Sequence, residues 1–123
     1  MRGFYDPAGV DRWLSHLHED AELHELAEIP DSRVYRGHDE IRAWLEHAQE
    51  IVSGWKWTPE EVLAEGDDVV VLRVRLTAEG RGSGVPIDQV VFHVIEVSDD
   101  KIASVSGFLQ PDRALAAAGM EGR

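Results

Sequence analysis

Apolar residues recur at Val10, Trp13, Leu14 and Leu17, the i, i+3, i+4, i+7 spacing that lays one stripe of a helix on a core. Asp6 and Pro7 suit a cap and a first turn, so the pattern predicts a helix from Val10 to near Asp20. The next segment, AELHEL, alternates. It predicts a short strand with Leu23 and Glu25 on one side and Glu22, His24 and Leu26 on the other. Pro30, Asp31 and Gly37 punctuate a loop. Helical spacing returns at Ile41, Trp44, Leu45, Ala48 and Val52, with Asp39 and Glu40 in the turn where the helix dipole favours negative charge, and Gly54 predicts the end.

Beyond Gly54 the period falls to two and β-branched residues dominate. Strands are predicted from about Trp55 to Leu63, Val69 to Thr77, Val85 to Val97 and Ile102 to Leu109. The segments EGDD, AEGRGSG and SDDK between them are short Gly- and Asp-rich connections of the kind antiparallel hairpins use. PDRALAAAG predicts a brief C-terminal helix, with Pro111 near its start and Gly119 past its end. Two helices and a strand ahead of a strand meander describe an α+β sheet with helices on one face. On the two middle strands neither face is purely polar: in the strand from Val69, Val70, Leu72, Val74 and Leu76 oppose Val69, Val71, Arg73, Arg75 and Thr77, and in the strand from Val85, Ile87, Gln89, Val91, His93 and Ile95 oppose Asp88, Val90, Phe92, Val94 and Glu96. The second face is therefore expected to lie against another copy, making a homodimer with Arg73 and Arg75 paired to acidic residues at the interface.

Composition narrows the function. The chain has 123 residues, 24 acidic against 12 basic, a formal charge of -12, and no cysteine. This length suits one domain over residues 1–123. A cysteine nucleophile, a disulfide framework and a thiolate metal site are excluded outright. Phosphate recognition needs clustered cations, and two of the basic residues alone are lysines, Lys56 and Lys101, so neither nucleic acid nor an acidic membrane is an expected partner. The sequence starts without the apolar run of a signal peptide and holds no stretch near the ~20 apolar residues of a membrane span, which predicts a cytoplasmic protein.

His16, His18 and His24 invite a metal reading, but two of them are two residues apart on the predicted helix and no HExxH string occurs, so no metal is expected. GRGSGV lacks the Lys and Ser/Thr of a phosphate loop and joins two strands, so it reads as a hairpin connection and implies no nucleotide cofactor. Trp44, Trp55 and Trp57 are the residues able to wall an apolar cavity.

The order of elements, with the strings HEDAELHE, VYRGHDEIRAWL, EGDDVVVLRVR, GRGSGV, QVVFHVIEVSDDKI and FLQPDRALAAAGM, resembles the SnoaL-like branch of the nuclear transport factor 2-like superfamily, which includes ketosteroid isomerases and polyketide cyclases. The resemblance implies a cone-shaped, strongly curved antiparallel sheet wrapped by helices, here with a shortened first helix, since nine residues precede Val10. It places Glu25 where the isomerases hold the base that removes a proton beside a carbonyl, and His93 where they hold an oxyanion-stabilising acid. The isomerases' donor Tyr has no match, Tyr5 being the nearest phenol. The Arg two residues before an Asp of limonene epoxide hydrolases is absent, because Pro86 precedes Asp88, and the cyclases' His and Asp pair is absent, because Ile follows His93 at position 95. No cofactor is implied. The expected site is a small-molecule pocket inside the cone, lined by Leu23, Trp44, Trp55, Trp57, Gln89 and Val91, with Glu25 and His93 as its catalytic pair. The alternative is a non-catalytic binding or dimerisation module whose cavity is filled by side chains.

Overall fold

The computed structural model describes residues 14–119. Its elements are β1 (Leu17–His24), β2 (Val34–Arg36), α1 (Gly37–Ile51), β3 (Val52–Glu65), β4 (Val69–Gly80), β5 (Pro86–Ser98), β6 (Lys101–Phe108) and α2 (Pro111–Ala117). The strands form one six-stranded sheet in the order β2-β1-β6-β5-β4-β3. The sheet is curved and unclosed, and the architecture is α+β.

The period-two region behaves as the pattern requires: β3 to β6 form an antiparallel meander over the predicted stretches. Between β5 and β6, Asp99 and Asp100 take φ of 52° and 65°, the left-handed pair that a two-residue hairpin turn demands and that Asp tolerates. The sheet is not wholly antiparallel, however. Chain order places β1 beside the last strand, and β1 pairs with β6 in parallel, Leu23 with Val105 and His24 with Ser106.

Three boundaries differ from expectation. The helix predicted from Val10 to Asp20 does not extend that far, because Leu17 already pairs with Ile102 and opens β1, and the burial of Leu17, Ala21 and Leu23 follows a strand interrupted by one register shift. Residues 10–13 of that prediction lie outside the described residues. β2 arises inside the predicted loop, where Tyr35 pairs with Leu23. Helix α1 stops at Ile51; Val52 has extended backbone and donates its N–H to the Ala48 carbonyl. Gly54, with φ of 65°, lies at a register shift within β3 between Ser53 and Lys56.

The inner, concave face of the sheet buries Leu23, Ile41, Val70, Leu72, Val74, Val91, Ile95 and Val105 into one core, with Leu26, Trp44, Trp57 and Leu109 packed against it. A second cluster on the outer face joins Val71, Phe92 and Val94 to Ala114 of α2. The chain's own C-terminal helix thus covers an apolar part of the face expected to need a second copy. Arg73 and Arg75 likewise find their partners within the chain: Arg73 Nε donates to Glu60 Oε1 at 3.2 Å, Arg75 Nε to Glu60 Oε2 at 3.0 Å, and Arg75 Nη1 to Asp88 at 2.7 Å.

Candidate functional site

The concave face carries a continuous run of rings. Trp55 and Trp57 are two apart on β3 and so share a side of the strand, while Trp44 reaches them from α1. Ring centroids are 5.7 Å apart for Trp44 and Trp55, which meet nearly edge to face at 68°, and 5.6 Å for Trp55 and Trp57. At one end Tyr35 stands 6.2 Å from Trp44, and at the other Trp57 reaches across β4 to within 5.2 Å of the His93 ring. Offset and edge contacts at these spacings are the favourable ones for aromatic pairs.

His93 is buried, and desolvation lowers its pKa from 6.5 to about 4. At neutral pH it is an uncharged imidazole, with one N–H to give and one lone pair to accept. Its strand neighbour is Gly107, and β1 runs along the other side of β6 with His24 opposite Ser106; past the end of β1 the Ala27 N–H donates to the Gly107 carbonyl. Glu25, just past the end of β1, and His93 of β5 thus lie on opposite sides of β6. Leu26 sits over the intervening glycine: a Cβ at Gly107 would lie 3.0 Å from Leu26 Cδ2.

The Glu25 carboxylate is already engaged. Oε1 accepts the Arg33 backbone N–H at 2.9 Å, and Oε2 accepts the Trp44 indole N–H at 3.3 Å, so the residue orients the helix end of the ring run. Of the remaining predicted lining residues, Leu23 and Val91 are buried in the inner core. Gln89 is exposed, in register with Trp57 across Leu76, and its side-chain amide donates to the Val90 carbonyl at 3.0 Å. His24 Nε2 lies 3.0 Å from Glu22 Oε1, and among the described residues no three His, Asp or Glu side chains converge as a metal site.

Sequence reasoning missed two members of this region. Tyr35 extends the ring run from a strand hidden in a predicted loop. Glu28, three residues after Glu25, accepts the Leu109 backbone N–H through Oε2 at 2.9 Å. Its Oε1, together with Trp55 Nε1 and His16 Nε2, is buried with no hydrogen-bond partner among the described residues. A cleft of about 150 Å³ opens where β1 and β6 end, lined by His24, Glu25, Ser32, Arg33, Ser106 and Phe108.

The SnoaL-like domain model matches residues 4–105. The chain belongs to the SnoaL-like domain family. Solved structures similar to this SnoaL-like chain include a protein of ketosteroid isomerase-like fold from Catenulispora acidiphila DSM 44928, in complex with trimethylamine (12% identity, 97% of this chain and 91% of that one, TM-score 0.77). A nuclear transport factor 2-like protein from Burkholderia thailandensis E264 shares 22% identity over 99% of this chain and 92% of its own, with a TM-score of 0.75. TerC, co-crystallised with polyporic acid, shares 20% identity over 97% and 89%, with a TM-score of 0.72. At these identities the likeness establishes the shared fold. No curated protein matches the SnoaL-like chain in sequence. None of its described helices is long and apolar enough to cross a membrane.

Proposed function

We propose that this SnoaL-like chain binds a flat, apolar small molecule bearing a carbonyl, held on the concave face against Trp44, Trp55 and Trp57 over Leu23 and Val91. The observation that carries this reading is the Trp55 indole N–H, buried beside two other indoles without an acceptor among the described residues. A buried donor left unpaired costs about 1–3 kcal/mol, a cost that a ligand carbonyl removes on binding. The neutral His93 at the end of the row adds an imidazole ring without placing a charge in the apolar site. The trimethylamine and polyporic acid found in two relatives of the same fold agree with small-molecule binding.

The test compares 1-indanone with indane, the same ring system without the carbonyl, by shifts of the tryptophan indole NMR signals. The wild type is expected to prefer 1-indanone about tenfold, and Trp55→Phe to erase the preference while still binding indane. A preference that survives Trp55→Phe refutes the assignment.

Catalysis would add proton removal beside that carbonyl, with Glu25 as base and His93 as hydrogen-bond donor to the developing enolate. Binding without turnover is the second reading. It is favoured by Glu25 itself, because both oxygens already accept N–H groups that hold the carboxylate between the Arg33 backbone and the Trp44 indole. Exchange of the 1-indanone α-protons in D2O separates the two: a catalyst exchanges them and loses at least about 100-fold in Glu25→Gln with binding kept, whereas a binding module leaves them at the solvent rate.

We also propose a homodimer through the part of the outer face that α2 leaves open. There Arg73 and Arg75 balance Glu60 and Asp88, giving a locally neutral patch through which two copies of charge -12 can meet.

A further inference from the structure

We propose that Glu28 is a ligand-anchoring acceptor, so that the molecule bound on the concave face carries a hydrogen-bond donor, a hydroxyl or an amine, at the end facing the loop after β1. This deepens the binding reading above and rests on it.

Three observations converge on this residue. First, its carboxylate is fixed. The Ala27 N–H donates to the Gly107 carbonyl, extending the β1–β6 pairing past the end of β1, and Glu28 Oε2 accepts the Leu109 N–H, one residue past the end of β6, at 2.9 Å. The Leu26 to Ile29 turn, closed by the Ile29 N–H on the Leu26 carbonyl at 3.1 Å, holds the backbone behind it. Second, Oε1 is buried and has no donor among the described residues. A carboxylate oxygen in that state lacks what an acceptor needs, and a ligand N–H or O–H supplies it. Third, the surroundings are those of the concave face. Leu109 and Leu26 pack on the inner core, and Leu26 covers Gly107, the strand neighbour of His93. Glu25 offers no such oxygen, since both of its own are bonded.

The fixed half of the carboxylate gives a discriminating variant. In Glu28→Gln the Leu109 N–H still requires an acceptor, so the amide oxygen stays on it and the amide NH2 takes the place of Oε1. An acceptor in the site becomes a donor while the backbone contact survives. Wild type and Glu28→Gln are titrated with indane, 1-indanol and 1-indanone, read by the Trp44 and Trp57 indole signals. Wild type is expected to bind 1-indanol about tenfold more tightly than indane; Glu28→Gln is expected to lose that margin and to bind 1-indanone more tightly than wild type does. Glu28→Leu is expected to lose the 1-indanol margin with no gain for the ketone. A 1-indanol margin that persists in Glu28→Gln, or that is absent in a wild type still binding indane and 1-indanone, overturns the role of Glu28 and leaves the aromatic site standing. If none of the three probes moves an indole signal, the aromatic site itself fails, and the anchor with it.

Discussion

At the scale of the residue, His93 ties stability to pH. Its folded-state pKa of about 4 lies below the ordinary 6.5, so between those values the unfolded chain holds a proton that the folded chain rejects. Stability therefore begins to fall as pH drops below about 6.5, at up to ~1.4 kcal/mol per pH unit, and this loss is complete near pH 4. Glu22 and Glu60 act in a different window. Hydrogen bonds from Arg36 and Arg75 respectively lead the causes that hold each below 4.5, so what they contribute is present above that pH and lost below it. Urea midpoints from pH 7 to 5 should thus slope in the wild type and flatten in His93→Gln; equal slopes would contradict a buried neutral imidazole. Gly107 makes a second residue-scale prediction. Gly107→Val is expected to cost about 1–3 kcal/mol by driving a side chain into Leu26, and Leu26→Ala to recover part of it in urea denaturation of the double variant. Additive losses would show that the contact is not the cause.

At the scale of the element, legibility tracked periodicity. β3 to β6 were readable because both faces of each strand carry a period-two pattern and Asp- and Gly-rich turns separate them. β1 was mistaken at its start because Leu14 and Leu17 satisfy helical spacing, while the pairing of Leu17 with Ile102 is a contact 85 positions away that no local pattern records. β2 has three residues, Val34 is 51% exposed, and so short an edge strand leaves little hydrophobic signal. Glu25, His93 and the three tryptophans were nameable as candidates, but the bonds of Glu25 to Arg33 and Trp44, and the half-bonded state of Glu28, depend on how the loop after β1 folds against β6. α2 was legible from Pro111 and Gly119, whereas its position was not, because the outer face also suited a second copy. Ala114, fully buried against Val71, Phe92 and Val94, gives the check: Ala114→Leu is expected to lose about 1–3 kcal/mol by overpacking, and an unchanged urea midpoint would mean that α2 does not seal this face.

At the scale of the molecule, one curved sheet has two differently furnished sides. The concave side carries the run of rings from Tyr35 to His93; the outer side is sealed by α2 at one part and left locally neutral at another. Native mass spectrometry is expected to give a dimer, and Val90→Glu, beside the Arg73, Arg75, Glu60 and Asp88 patch, a monomer; a monomeric wild type would end the dimer proposal. The binding account is tested most directly by a 15N-resolved NMR titration with 1-indanone. The account predicts a saturable shift of the Trp55 indole N–H, accompanied by those of Trp44 and Trp57. Shifts confined to Ser106, Phe108 and their neighbours at the cleft where β1 and β6 end, with the Trp55 signal unmoved, would contradict it.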